Sequence, residues 1–162
     1  MKLYVPEIGD HLRLTDDWAF VLHNEYRNRS LWDHFNCDNA PEIQHQLAEK
    51  AAYTAELDTL SRKMFSGNTY LCPPPASYDP ADVARREELY ELIRRQEHTT
   101  VTISAGAILA VDRIFIRKGM DDWSSLTFFL KDLPGVSFKK KPRFWAKLAD
   151  CNNIMFDLVP NT

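Results

Sequence analysis

Hydrophobic positions in this chain change period twice, and those changes divide it into three parts. From Leu12 to Leu22 the apolar residues alternate: Leu12 and Leu14 share one face, and Trp18, Phe20 and Leu22 share another, with Asp16-Asp17 between the two runs. Period two is a strand signal, and the two-residue link predicts a hairpin. Leu3 to Val5 reads as a short edge strand stopped by Pro6, which cannot donate to a ladder. The segment from Asn24 to Asn39 keeps neither period and reads as an irregular, ordered loop, since Tyr26, Leu31, Trp32 and Phe35 are too apolar to leave in water.

At Asn39-Ala40-Pro41-Glu42 the pattern becomes helical. Asn39 or Ala40 serves as N-cap, Pro41 fits the first turn, and Glu42 complements the positive helix end. Ile43, Leu47, Ala51, Leu57, Leu60 and Met64 then share one side at 100° per residue, and Gly67 is a natural terminator, so a helix is expected over about 40–66. Asn68 to Tyr78, with Pro73-Pro74-Pro75, is a stiff extended connector. Asp79-Pro80-Ala81-Asp82 repeats the start signal. A second helix follows to about Glu97, with Val83, Tyr90 and Ile93 on one face and Asp82/Arg86 and Glu91/Arg95 as outer i,i+4 pairs.

Period two returns at Thr99. Three β-branched or aromatic runs up to Lys131, broken at Ser104-Ala105-Gly106 and at Lys118 to Asp122, predict a three-stranded antiparallel meander. Its middle strand changes phase. Leu109 and Val111 have one parity, Ile114 and Ile116 the other, and a β-bulge at Asp112-Arg113 would return both sets to one face while bending the strand. After the turn Asp132 to Gly135, Phe144, Ala146 and Leu148 face inward while Arg143, Trp145 and Lys147 face outward. Asp150 to Asn153 then turns the chain into Ile154, Phe156 and Leu158.

The fold class is therefore α+β, a small antiparallel barrel or strongly bent sheet built from about 2–24 and 99–159, with an α-helical hairpin inserted at about 40–97, all within one domain spanning 1–162. The expected core is Leu12, Leu14, Phe20, Leu22, Val101, Ile103, Leu109, Val111, Ile114, Ile116, Leu126, Phe128, Phe144, Leu148, Ile154 and Phe156.

Composition narrows the function more than it identifies one. A formal charge of -3 over 162 residues is not that of a simple nucleic-acid binder. The balance is uneven, with 4 basic and 7 acidic residues up to Asn39, 7 and 10 from Ala40 to His98, and 9 and 6 from Thr99 onward. Cys37, Cys72 and Cys151 are odd in number and widely spaced, which favours free thiols and a cytoplasmic setting. The N-terminus lacks a signal-peptide pattern, no apolar run reaches membrane-spanning length, and no membrane partner is expected.

Phosphate-loop, dinucleotide, nucleophile-elbow and zinc-protease motifs are all lacking, so no catalytic, cofactor-binding or metal residue is assigned and no cofactor is expected. His23 and Glu25 form at most a sequence-local acid/base pair; a strand-end histidine beside a solvated glutamate is the simpler reading. His34 and Cys37, with Cys72 brought near, would be a single ligand pair where a structural zinc site shows two. Asp16-Asp17-Trp18 is echoed by Asp121-Asp122-Trp123, where turn geometry explains the aspartates better than a divalent ion does.

One surface feature stands out, the run of Lys139, Lys140, Lys141, Arg143, Trp145 and Lys147. Basic groups beside an outward aromatic can hold phosphates and stack a base, or can anchor a protein partner, unless the inserted hairpin covers Trp145. Three functions follow. The first is a non-enzymatic protein-binding or self-associating module acting through the hairpin. The second is a nucleic-acid-binding barrel using the basic strand. The third is a metal-assisted or acid/base hydrolase around His23, Glu25 and His34.

Strand, strand, long excursion, then Ser104-Ala105-Gly106-Ala107-Ile108-Leu109 entering a bent strand, followed by Phe128 and by Arg143-Phe144-Trp145 to Ile154, resembles SH3-like small barrels in outline. The chain is also similar to compact accessory or inhibitor proteins encoded by bacteriophages and prophages. That resemblance implies a single-domain binder without chemistry. It covers the strands only, and it transfers no functional residue.

Overall fold

The computed structural model describes residues 6–65, 78–119 and 124–160. The expected edge strand at Leu3 to Val5, the terminator Gly67, Cys72, the proline connector and the Asp121-Asp122-Trp123 echo lie outside them. The chain forms two compact units, Met1–Ala40 with His98–Thr162, and Pro41–Glu97. It is α+β, with four α-helices and seven strands in two antiparallel sheets among the described residues.

In the strand unit, β1 (His11–Leu14), β4 (Ile108–Phe115), β5 (Ser125–Asp132), β6 (Arg143–Lys147) and β7 (Phe156–Val159) form one sheet in the order β6-β5-β4-β1-β7. β2 (Trp18–His23) and β3 (His98–Ile103) form a second, two-stranded sheet. Strand positions and faces match the alternating pattern, but two pairings do not. β1 and β2 are not a hairpin, because both edges of β1 are filled, by β4 and by β7. β3 likewise leaves the expected meander and pairs with β2, Trp18 opposite Ile103 and His23 opposite His98.

The two crossings between sheets lie side by side. Leu14 N–H donates to the Ala107 carbonyl, Gly106 N–H donates to the Leu14 carbonyl, and the Asp17 carboxylate accepts from Ala105 N–H. Gly106 has φ +86°, and a Cβ there would stand 3.2 Å from the Pro134 ring, so this tight crossing requires glycine. The bulge in β4 is present: the register shifts between Val111, opposite Phe128, and Arg113, opposite Thr127, leaving Asp112 as the extra residue.

The core lies between the two sheets. Trp18 stacks on Phe20 at 4.3 Å between ring centroids, and Phe20 stacks on Phe144 at 5.4 Å. Phe128 meets Trp18 edge-on at 5.7 Å. The Trp18 indole N–H, which would be costly to bury unpaired, donates to the Asp150 carbonyl at 3.0 Å. Eleven of the sixteen expected core residues are buried. The other five, Ile114, Ile116, Leu148, Ile154 and Phe156, instead line an open apolar groove of about 310 Å³ together with Leu12, Leu126 and Phe128. Parity gave their face correctly, but no second layer seals that part of it.

Two further segments differ from expectation. Asn24 to Asn39 is not irregular: it holds a 3-10 turn at Tyr26–Asn28, helix α1 (Arg29–His34) and a 3-10 turn at Cys37–Asn39. Leu31 and Trp32 are buried on one side, while Arg29 on the other bridges Asp33 and Asp38 at 2.8 and 2.9 Å. Tyr26, expected inside, is 95% exposed. The final strand region is also split. β6 ends at Lys147 because its partner β5 begins opposite it at Ser125, and Leu148 opens a one-turn helix, α4 (Leu148–Cys151), before β7. Leu158 on β7 is 51% exposed.

The second unit is the helix pair α2 (Pro41–Phe65) and α3 (Pro80–Arg94). Both prolines stand at helix starts, and the Asp79 side chain caps α3 by accepting from Ala81 N–H at 2.9 Å. α3 stops three residues earlier than expected, where Arg95 turns extended. Ion pairs Lys50–Glu97, Glu56–Arg85 and Lys63–Asp82 run in opposite order along the two segments, which makes the helices antiparallel. Asp82 therefore pairs across to α2 instead of with Arg86, and Glu91 lies 3.6 Å from Arg94 instead of pairing with Arg95. The half-buried side of α2 is Lys50, Tyr53, Leu57, Leu60 and Met64; Leu47 and Ala51 are exposed.

Candidate functional site

The basic and aromatic strand is β6, and its alternation is as the sequence predicts. Phe144 and Ala146 are fully buried, and Arg143, Trp145 and Lys147 stand half-buried on the outer face. Two of those three are occupied from within the chain. The Arg143 guanidinium donates twice to Asp112 Oδ2, at 2.9 and 2.6 Å, and lies 5.8 Å from the Phe129 ring centre. The β4 bulge turns Asp112 outward to reach across β5, so the phase change in β4 and the charge on β6 are two ends of one interaction.

Trp145 lies flat on the His23 imidazole, 5.2 Å between centroids and 6° between planes, with the Arg27 guanidinium 5.7 Å from its ring centre. Its backbone N–H donates to Asn28 Oδ1 at 2.9 Å, and its indole N–H is buried with no partner among the described residues. The stretch after β2 thus covers the ring that a base would have to stack on. Burial first, and then the nearby charges of Lys147 and His98, hold the His23 pKa below its ordinary value, so the imidazole under Trp145 is kept neutral.

Lys139, Lys140 and Lys141 are exposed. Lys141 leads to a part of the outer face that inspection of the basic run misses. With His11 and Arg13 of β1, Ile108 of β4, Lys131 of β5 and Asp157 of β7, it borders an open groove of about 730 Å³. Register sets this grouping: Arg13 lies opposite Ile108 on one side and Asp157 on the other, and Ile108 lies opposite Asp132. Among the described residues Arg13, Lys131 and Lys141 have no ion pair, although Arg13 faces Asp157 in register. The sequence signal was present but dispersed, a single cation at the outward parity of each strand, between Leu12 and Leu14 and beside Leu130.

The residues of the hydrolase expectation are each engaged separately. His23 meets Trp145 and His98, His34 packs edge-on against Phe35 and Phe138, and Glu25 pairs with Arg27 at 2.7 Å. Among the described residues no three His, Cys, Asp or Glu side chains gather as a metal site. Cys37 and Cys151 are free; burial raises the Cys37 thiol pKa and pushes that of Cys151 up to about 12. Asp17, from the first Asp-Asp-Trp, takes a turn role by accepting from Ala105 N–H at 2.8 Å.

In the helix unit, Leu89 is the one buried residue of α3 and Ile43 the one of α2. Leu47 is 45% exposed, and Tyr90, between the guanidinium groups of Arg86 and Arg94, is 36% exposed. No helix among the described residues is long and apolar enough to cross a membrane. Comparison of the chain with family models, with curated proteins and with solved structures found no match.

Proposed function

We propose that this chain is a non-enzymatic binding module whose α2–α3 hairpin engages a protein surface, either a partner or a second copy. The observation that carries this is the sparse burial of the hairpin: across helices of 25 and 15 residues, only Ile43 and Leu89 are buried. Two antiparallel helices can close one seam against each other but cannot surround it. Tyr53, Leu57, Leu60 and Met64 of α2, with Val83, Leu92 and Ile93 of α3, remain half-covered, and Leu47 and Tyr90 stand outside the seam. Isolated helices gain most of their stability from packing an apolar face, so an under-covered face is completed by another molecule. The ion pairs along the rim fix the two helices relative to each other, which lowers the ordering cost of presenting them.

The same reading takes the two sheets as halves of a partly open, SH3-like barrel, which the edge-on contact of Trp18 with Phe128 and the stacking of Phe20 on Phe144 support. It also sets the module in the cytoplasm, consistent with the free thiols Cys37 and Cys151.

The test is sedimentation of the full chain over a wide concentration range, followed by affinity capture with wild type, Leu47→Glu/Tyr90→Glu and Lys139→Glu. Self-association, or a captured protein, that is lost in the hairpin variant and kept in the Lys139 variant is the expected result. A protein that stays monomeric and captures nothing that the hairpin variant fails to capture overturns the reading.

A further inference from the structure

We propose that the outer face of the five-stranded sheet, at the groove between His11, Arg13, Lys131 and Lys141, binds the sugar-phosphate backbone of a nucleic acid without reading its bases. Most basic side chains placed near carboxylates have found them: Arg27 with Glu25, Arg29 with Asp33 and Asp38, Arg85 with Glu56 and Glu88, Arg143 with Asp112. Among the described residues Arg13, Lys131 and Lys141 have not, and they converge on one concavity whose lining includes a single carboxylate, Asp157. Lys139 and Lys140 extend the positive surface from its rim.

The spacing suits a chain of charges. Arg13 on β1 and Lys131 on β5 are separated by β4 alone, and neighbouring strands lie roughly 4.8 Å apart, so the two cations stand about 10 Å apart across the sheet. A polyanion crossing the strands meets one cation after the other. At about 730 Å³ and open to solvent, the groove lacks the enclosure that a small apolar ligand needs. Its lining contains no Trp, Tyr, Phe or Met to anchor a protein hot spot, which favours a phosphate backbone over an acidic polypeptide.

The nearest rings are already in use. Phe129 lies near Lys131 and Arg143, at 6.0 and 5.8 Å, and Trp145 lies on His23. Apart from the half-buried His11 imidazole, bases therefore have no ring to stack on beside the groove, and binding is sequence-neutral. Net charge does not oppose this. The segment Pro41–Glu97 has 7 basic and 10 acidic residues, and the remainder of the chain has 20 − 7 = 13 basic and 23 − 10 = 13 acidic, so the excess negative charge belongs to the helix unit.

Fluorescence anisotropy of the full chain with a labelled oligothymidylate, an abasic strand of equal length and a labelled polyglutamate tests this. The expected results are equal binding of the two nucleic-acid strands within about twofold and weaker binding of polyglutamate. The slope of log K against log salt should be about −2, from three phosphates on a single strand. Arg13→Glu/Lys131→Glu, which alters only outward unpaired positions, should lose more than about tenfold in affinity at low salt while keeping its circular dichroism. No binding at low salt, a salt slope shallower than about −1, no loss in the folded double variant, or equal binding of polyglutamate overturns the proposal. Leu47→Glu/Tyr90→Glu should bind the strands as wild type does, so the outcome here is separate from that of the hairpin reading.

Discussion

Replacing Asn28 tests how the strand unit holds its exposed edge. β6 is the terminal strand of the five-stranded sheet, and an edge strand presents unpaired N–H groups. Asn28 is fully buried and uses both ends of its amide there: Oδ1 accepts from Trp145 N–H at 2.9 Å, and Nδ2 donates to the His23 carbonyl at 3.0 Å. One side chain thus joins the edge of the larger sheet to the end of β2. Asn28→Ala removes both bonds and leaves the Trp145 N–H without a partner, while the His23 carbonyl still accepts from Glu25 N–H at 2.9 Å, for a loss of about 1–3 kcal/mol. In a chain of this size that lowers Tm by roughly 2–12 °C. Urea unfolding followed by tryptophan fluorescence measures it directly, since Trp18, Trp32 and Trp145 all lie in this unit. The midpoint should fall with an unchanged slope. Asn28→Asp keeps the acceptor for Trp145 but sets a carboxylate against the His23 carbonyl, so it should not rescue. A loss below about 0.5 kcal/mol for the alanine variant would mean that water replaces both bonds, and that the edge is not held by this residue.

Two further outcomes follow from the titratable groups. His23 has a folded pKa below its ordinary 6.5, so the unfolded chain takes up the proton first as pH falls. Its contribution to stability is complete above about pH 6.5 and is lost as pH drops through that value toward the folded pKa; His23→Gln should flatten this part of a urea-midpoint profile, and an unchanged profile would refute it. Burial pushes Cys151 to about 12, which at mildly alkaline pH leaves about 1000-fold less thiolate than an ordinary cysteine. Peptide mapping after alkylation should show Cys151 and Cys37 labelled slowly in the native chain and fast in urea, and equal rates in both would contradict their burial.

What the sequence disclosed was local. Asn39 to Glu42 and Asp79 to Asp82 marked both helix starts because capping and proline geometry are properties of four consecutive residues. The β4 bulge was visible because Val111 and Ile114 have conflicting parity within one strand. Partners were not visible. Parity assigns Leu12 and Trp18 to buried faces but does not say whether those faces lie side by side in one sheet or opposed in two, and here they are opposed. Nor does parity tell whether a face is covered, which is why Ile114, Ile116 and Phe156 line a groove instead of a sealed core. α1 is not legible because a six-residue helix carrying Leu31 and Trp32 is too short to establish a period.

The same distinction governs the site. Alternation in β6 correctly turned Arg143, Trp145 and Lys147 outward, but whether an outward group is available depends on what lies across the face. The bulge delivers Asp112 to Arg143, and the end of β2 delivers His23 to Trp145. Among the described residues Arg13 and Lys131 receive no such partner, so these less conspicuous cations are as available as Lys141 of the basic run. This separates the two proposed surfaces by their response to salt. Binding at Arg13 and Lys131 depends on counterion release and weakens as any salt is added. Association through the hairpin buries Leu47, Tyr90 and the half-covered seam, and sulfate or phosphate salts strengthen such burial. Raising sulfate should therefore release an oligonucleotide and retain a hairpin partner in the same sample. If both are lost together, the two ligands share a charged surface and the hairpin does not bind through its apolar residues.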